Sequence, residues 1–414
     1  MPPVTGKTIY ILGAGASFHA GAPLLNDFIV TSRFLLDSAT DLKYRSSFLN
    51  IFKWIDSLRG SAYYIELDLD NIEHLYSLCE MKRQLGISDG QNLYDDLGLV
   101  IMETLDHTCR ARWVNNRPTA DPLYSKFIKV LKKLNDERKL KYPLSESDVI
   151  ITFNYDILLD YALASEISMG YCLKKGEATN PDYIKLLKLH GSANWASCPQ
   201  CNRIKEITNF SQLYRNYFYS TDQASEENEN MEFPLKIVTD FISKMKCDHC
   251  PDKPMLKPLI IPPTWSKIVK DSALANVWLN AVKEIESAFQ IVVIGYSMPQ
   301  TDTFFQYLLT LGLSRNANGI EKLQALSGSS EMSSSLNRVI VVNKDNGDAL
   351  KKRYKKVFSR SMFHRDRLIF TNFKYKKIEM QYRNKIERVE EDHTKGATFE
   401  NFIEYDMYNF GRTI

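Results

Sequence analysis

Asp148-Val-Ile-Ile-Thr-Phe-Asn-Tyr-Asp-Ile-Leu-Leu-Asp160 sets two apolar runs end to end with a polar trio between them. Val149 to Phe153 is β-branched and apolar without polar alternation, the pattern of a strand covered on both faces. From about Tyr155 to Ala164 the apolar spacing becomes helical. A buried strand therefore hands over to a helix through Asn154, Tyr155 and Asp156. Asn and Asp cap helices, because their side chains accept from the backbone N–H groups that a first turn leaves without partners. Open parallel sheets also bind ligands at the carboxyl ends of their strands, so the same groups can serve a site. Both readings stand on this stretch alone.

The pattern recurs outward from there. Thr8–Leu12 runs into Gly13-Ala-Gly-Ala-Ser17, and a helical pattern follows from about Pro23 to Leu36. Ile184–Leu189 runs into His190-Gly-Ser-Ala-Asn-Trp195, Ile291–Ile294 into Gly295-Tyr-Ser-Met-Pro299, and Val339–Val342 into Asn343-Lys-Asp345. Leu259 to Ile261 is a further short apolar run. Near-continuous Val/Ile/Leu strands separated by helical stretches predict a parallel sheet with both faces covered. The fold class expected is α/β, a Rossmann-like doubly wound sheet. Caps and turns explain any one of these strand ends but explain the set poorly.

Between Asp41 and Lys141 the alternation stops. Phe48, Ile51, Phe52, Ile55 and Leu58 recur at helical spacing, as do Leu93, Leu97, Val100, Ile101 and Leu105, and then Phe127, Val130, Leu131 and Leu134. Residues 41–145 are expected to be a large helical insertion whose apolar stripes are core. Seven cysteines, an odd number, do not suggest a disulfide framework. Cys198-Pro-Gln-Cys201 and Cys247-Asp-His-Cys250 have the spacing of two zinc knuckles. Four thiolates would close a tetrahedral site, making the metal structural, against the alternative of four reduced cysteines without metal. The polar stretch from Ser220 to Glu232 between the pairs reads as a loop, and His249 as a solvent-facing residue.

Net charge is +3 over 414 residues, and a quarter of the chain is charged. That balance suggests neither a dedicated nucleic-acid surface nor a membrane surface. No run is long and apolar enough to span a bilayer, and a cytoplasmic location is expected. Lys351 to Lys356 and Lys374 to Lys377 are dense in lysine and read as solvated faces.

Gly13-x-Gly15 after a strand lets backbone approach a phosphate, although Phe18 stands where a third glycine is usual, and a plain tight turn is the alternative. Gly295-Tyr-Ser297 offers a second small, hydroxyl-bearing turn. Asn343 and Asp345 fall where a dinucleotide ribose or base edge can be held.

Taken in order, GAGAS, TFNYD, KLHGS, two Cys-x-x-Cys pairs, GYS and VVN resemble the sirtuin family over most of Ile9 to Asp345. The variants FNYD, KLHGSANW, IIPPTWSK and IGYSMPQTD are similar to divergent sirtuin-like NAD hydrolases of prokaryotic antiphage defence. The resemblance implies a small zinc-ribbon module with four cysteine ligands, and NAD as substrate. The expected layout is a core of residues 1–40, 146–196 and 255–375, a zinc module at 197–254 and a tail at 376–414, with the helical insertion and the tail as the expected contact surfaces for assembly. Asn154 and His190 match the catalytic asparagine and histidine. Gly13, Ala14, Gly15, Ser17, Asp156, Gly295, Ser297 and Asn343 match cofactor-binding positions, with Asp156 on the nicotinamide carboxamide. Cys198, Cys201, Cys247 and Cys250 match the metal ligands. Tyr155 is read as packing.

The chemistry agrees with those roles. In NAD the nicotinamide is cationic on the ribose anomeric carbon, so its departure as a neutral base generates oxocarbenium character there. A neutral amide positions water or ribose there without burying an unpaired charge, and an imidazole can take a proton. Deacylating sirtuins carry GIPDFR-like and FGE-like segments. Gly21-Ala-Pro-Leu-Leu-Asn26 and Ile260-Ile-Pro-Pro-Thr-Trp-Ser-Lys267 match neither, so hydrolysis is expected ahead of deacylation, ADP-ribosyl transfer or a non-catalytic sensor role. The resemblance further implies a homo-oligomer and a partner such as a HerA-type hexameric ATPase or an Argonaute-like protein.

Overall fold

The structure, a computed structural model, describes residues 6–60, 67–114, 117–143, 145–174, 183–209, 231–234, 237–261, 272–299, 302–314, 336–358, 367–381 and 384–412. The apolar runs become the strands of one sheet: β1 (Lys7–Leu12), β2 (Val149–Thr152), β3 (Met169–Gly170), β4 (Ile184–Lys188), β5 (Ala288–Ile294), β6 (Arg338–Val342) and β7 (Leu368–Phe370). Their order is β7-β6-β5-β1-β2-β4-β3, and every pairing is parallel. Ile9, Ile11, Leu12, Ile150, Ile151 and Ile291 are wholly buried, as strands covered on both faces must be. This is the expected Rossmann-like α/β sheet.

Register places the strand ends level. Leu12 lies opposite Ile294 and Thr152, Ile294 opposite Val342, and Thr152 opposite Lys188. The chain moves from β1 to β2 and β4 on one side, then from β5 to β6 and β7 on the other. The topological switch therefore falls between β1 and β5, where such sheets bind ligands.

Helices are α1 (Phe28–Ser38), α2 (Arg45–Arg59), α3 (Ile72–Gln84), α4 (Gly90–Thr108), α5 (Pro122–Lys141), α6 (Leu158–Glu166), α7 (Ile237–Ile242), α8 (Ser272–Glu286), α9 (303–314), α10 (Asp348–Val357), α11 (Phe399–Tyr405) and α12 (Met407–Arg412). The stripes of α2 and α4 are buried as expected apart from the half-buried Leu58, and α4 packs against both α2 and α3. The region 41–145 is not uniform, however. Arg110–Val114 forms a three-stranded antiparallel sheet with Arg117–Thr119 and Met231–Pro234. Helix α5 belongs to the sheet layer, with Phe127 edge-on to Tyr10 of β1 at 5.4 Å.

Two further expectations change. Leu259 does not join the parallel sheet: Lys257–Ile260 pairs antiparallel with Gly191–Ser197, which in turn pairs with Ile204–Glu206. The stretch after His190 is thus a strand rather than a loop. Gly191 makes the turn, at φ +81°, and a Cβ there would sit 2.1 Å from the Leu259 carbonyl oxygen. Gly191→Ala is expected to cost at least about 1–2 kcal/mol, since left-handed backbone alone penalises a side chain by that much. An unchanged urea midpoint would contradict this account of the turn.

The second change concerns the expected tail. Asn372–Gln381 and Asn384–Gly396 form an antiparallel ribbon, after which α11 and α12 close the core. Phe399, Phe402, Ile403 and Met407 are buried. Phe399 meets Phe127 at 5.3 Å and Tyr124 at 5.7 Å, and the Tyr408 hydroxyl donates to Glu137 at 2.6 Å. Phe399, Phe402 and Ile403 have the i, i+3, i+4 spacing of a core helix face. Of the stretches singled out in the sequence, 220–230 and 262–267 lie outside the described residues.

Candidate active site

Strand β2 stops at Thr152 and α6 starts at Leu158, so Phe153 to Ile157 make the handover. Asp156 does serve the helix start: from one residue before the cap position, Ile157, its Oδ1 accepts from Leu158 N at 3.1 Å. Asn154 does not. Its Nδ2 donates to the Gly13 carbonyl at 3.0 Å and to Ser17 Oγ at 3.0 Å, and its own N–H donates to Thr152 Oγ1 at 3.1 Å. A backbone carbonyl can only accept, so the NH2 end of the amide must face Gly13. The Asn154 carbonyl is thereby turned away from the glycine loop.

The glycines of the first loop serve close approach. Gly13 N donates to Ile294 O and Gly15 N to Gly295 O, both at 2.9 Å. A Cβ on Gly15 would lie 2.8 Å from Gly295 O, and one on Gly13 would lie 2.7 Å from Tyr296 Cα. Gly295 itself has φ +62°. The loops after β1 and β5 therefore lie against each other at the switch point, with Ala14 and Gly15 half-exposed. Ser17, expected to contact phosphate or ribose, is buried beneath this loop. Its Oγ bonds Asn154 and lies 2.7 Å from the Tyr124 hydroxyl.

The second loop is braced from behind. The Tyr296 hydroxyl donates to Asp302 Oδ2 at 2.7 Å, and the Tyr296 carbonyl accepts from the Tyr354 hydroxyl at 2.7 Å and from Asn343 Nδ2 at 3.4 Å. Ser297 is exposed, and its carbonyl accepts from Arg353 Nε at 2.8 Å. Asn343 Oδ1 accepts from Asp345 N at 3.0 Å, so both residues build a turn beside this loop.

His190 sits just past β4, the neighbour of β2, and is buried. Its ring centroid lies 5.3 Å from Phe153 and 6.0 Å from Tyr155. Phe153 stacks on Tyr296 at 4.7 Å and meets Phe305 edge-on at 5.0 Å. Backbone holds His190 as well: its carbonyl accepts from Ile261 N at 2.8 Å, and the Ile261 carbonyl accepts the Tyr155 hydroxyl at 3.0 Å. Burial pushes the Tyr155 hydroxyl well above its ordinary value, and the Glu73 carboxylate adds to the rise. Gly13, Ala14, Gly15, Asn154, Asp156, His190, Gly295, Ser297 and Asn343 thus fall along one edge of one sheet.

Beneath that edge is a polar chain that the sequence reading missed. Lys188 is wholly buried; its Nζ donates to the Asp156 carbonyl at 2.6 Å and to Asp160 Oδ2 at 2.9 Å. The Tyr171 hydroxyl donates to Asp160 Oδ1 at 2.6 Å and accepts from Asn194 Nδ2 at 2.9 Å, while Ser192 Oγ donates to Asn194 Oδ1 at 2.5 Å. Burial raises the Asp156 carboxyl above the usual range, against the pull of the Lys188 ammonium and the Ser17 hydroxyl. A signal was present: Lys188 is a cation on an apolar strand whose neighbours are all core.

The four knuckle cysteines meet. Sγ of Cys198 lies 3.7 Å from that of Cys250, and Sγ of Cys201 lies 3.7 Å from that of Cys247. All four sulfurs fall within 4.8 Å of one another. A tetrahedron with Zn–S bonds of about 2.3 Å has sulfur edges of about 3.8 Å, so the donor set and its spacing suit structural zinc. Backbone N–H groups of Gln200, Cys201 and His249 point at the sulfurs at 3.4–3.5 Å, as in a knuckle turn. Among the described residues no helix is long and apolar enough to cross a membrane.

Comparison with protein-family profiles gives no match, and comparison with curated proteins gives none. Among solved structures the chain is similar to a mutant Sir2 homologue with ADP-ribose, at 15% identity and a TM-score of 0.36, over 85% of this chain and 91% of that one. It is similar at 16% identity and a TM-score of 0.36, with the same coverage, to a Sir2 homologue in complex with NAD. Sir2 bound to an acetylated peptide matches at 15% identity and a TM-score of 0.31, over 87% of this chain and 93% of that one. The fold assignment rests on the strand order and register above rather than on these likenesses.

Proposed function

We propose that this chain hydrolyses the nicotinamide–ribose bond of NAD to nicotinamide and ADP-ribose. The observation that carries the reading is the Asn154 amide. Its NH2 is occupied by Gly13 and Ser17, so it offers a carbonyl acceptor at the carboxyl end of β2, one strand from His190. An acceptor there can hold a water or a ribose hydroxyl by its proton, and an imidazole nearby can take that proton as the anomeric carbon gains positive charge. The switch-point crevice formed by Gly13, Ala14, Gly15, Gly295 and Ser297 would take the phosphates and riboses, with Asn343 and Asp345 behind it. A neutral amide holds the water or ribose hydroxyl without burying an unpaired charge, while nicotinamide leaves neutral and the positive charge passes to the anomeric carbon.

Deacylation needs an extended peptide paired to a sheet edge. The edge strand near His190, Lys257–Ile260, carries Pro258, which has no N–H to give. That observation favours water over an acyl-lysine as the nucleophile. Antiphage use, a homo-oligomer and a HerA-type or Argonaute-like partner belong to the same proposal. Mass measurement with and without a co-expressed genomic neighbour tests the assembly part.

The activity itself is tested by nicotinamide release from NAD. Asn154→Ala and His190→Ala are each expected to lower it by about 10²–10⁴-fold, the usual worth of a positioned proton-transfer group. Both variants should still fold by urea unfolding, although His190→Ala opens space beside Phe153 and Tyr155 and Asn154→Ala leaves Ser17 without that donor. Release that appears only with an acetylated peptide would sink hydrolysis in favour of deacylation.

A further inference from the structure

We propose that Tyr124, on α5 outside all the strand-end motifs, is the positioning residue that sets the orientation of the Asn154 amide through Ser17. A serine hydroxyl has one proton to give and two lone pairs to accept with. Ser17 Oγ accepts from Asn154 Nδ2 at 3.0 Å and lies 2.7 Å from the Tyr124 hydroxyl. Of the two hydroxyls the phenol is the stronger acid, so Tyr124 donates to Ser17. With Tyr124 in place, Ser17 is held as an acceptor toward Asn154. Without it, the hydroxyl can swing and the amide loses one of the two partners that turn its carbonyl outward.

Tyr124 is built to hold still. It is wholly buried, with its ring 5.4 Å from His19 and 5.7 Å from Phe399. Asp121 caps α5 by accepting from the N–H groups of Leu123 and Tyr124 at 3.0 and 2.9 Å, and the same oxygen lies 2.8 Å from His19 Nε2. The glycine loop is thus tied to the start of α5 at two points, Ser17 to Tyr124 and His19 to Asp121. Phe399 comes from α11, so the C-terminal segment buttresses the same contact. The inference rests on the role given to Asn154 above, and its test separates the two.

Tyr124→Phe keeps the ring and removes the hydroxyl. In nicotinamide release it is expected to lower kcat about ten- to a hundred-fold with KM little changed, as misplacement of a reacting group does. Ser17→Ala should reproduce that split. Tyr408→Phe, which removes a comparable hydroxyl from a contact with α5 far from the strand ends, should leave kcat unaltered. A second arm needs no activity: urea midpoints of Tyr124→Phe, Asn154→Ala and the double variant. The double variant should fall by less than the sum of the single shifts, and the cycle should become additive when Ser17 is alanine. A wild-type protein silent toward NAD counts against the hydrolase reading, and the midpoint cycle then decides the inference alone. Additive midpoints, or an unchanged kcat in Tyr124→Phe, overturn it.

Discussion

Lys188→Ala is expected to cost the fold about 3–5 kcal/mol, the loss seen when one partner of a buried ion pair is removed. Both side chains of the Lys188–Asp160 pair are about 1% exposed, so solvent screening does not soften the effect. The ammonium also satisfies the Asp156 carbonyl at the point where β2 becomes α6. Its removal leaves the Asp160 carboxylate with only the Tyr171 hydroxyl at 2.6 Å, in an interior that cannot hydrate it. Two consequences can be checked by urea unfolding. Lys188→Met, which keeps most of the volume, should still be strongly destabilised, because the unpaired charge rather than the cavity dominates. Adding Asp160→Asn to Lys188→Met should recover part of the loss, since a neutral amide is cheaper to bury. A loss below about 1 kcal/mol for Lys188→Ala would mean that water reaches the pair.

Metal removal is the second large effect expected. Structural zinc sites in small modules bind with apparent free energies of about 10–16 kcal/mol that are folding free energy. Here Cys198 follows the strand Gly191–Ser197, and Cys250 precedes the strand Lys257–Ile260 that pairs with it. These two strands hold His190 from both sides, one covalently and one through Ile261 N. The purified protein is expected to carry one zinc per chain. Cys250→Ser or a strong chelator should release it and open the segment around residues 191–260 to proteolysis while the parallel sheet survives. Nicotinamide release should fall with the metal, although zinc touches no reacting atom. Protein free of metal, with an unfolding midpoint indifferent to chelator, would refute a structural role.

Much of this architecture is legible in the chain because strand and helix periodicity are local. Val149–Thr152, Ile291–Ile294 and Val339–Val342 stand where uninterrupted β-branched runs put them, and their polar followers mark the edge that gathers Asn154, His190 and the glycine loops. Leu259 misled because a four-residue apolar run looks the same in a parallel and in an antiparallel sheet; only its partner distinguishes them. The chain after residue 376 looked like an appendage because its ribbon is charged, yet Phe399 and Phe402 already carried the spacing of a buried helix.

The sequence by itself determined the α/β class, the strand ends that bear polar groups and the two cysteine knuckles, since each depends on residues within a few positions of one another. Tertiary structure alone decided which way the Asn154 amide points, that Ser17 lies buried beneath the glycine loop, and that Lys188 is buried against Asp160. Those depend on Gly13, Tyr124 and Asp160, which are distant from their partners along the chain or brought to them only by packing. A side chain's proton goes to whichever acceptor the fold places within about 3 Å, and no periodicity records that distance.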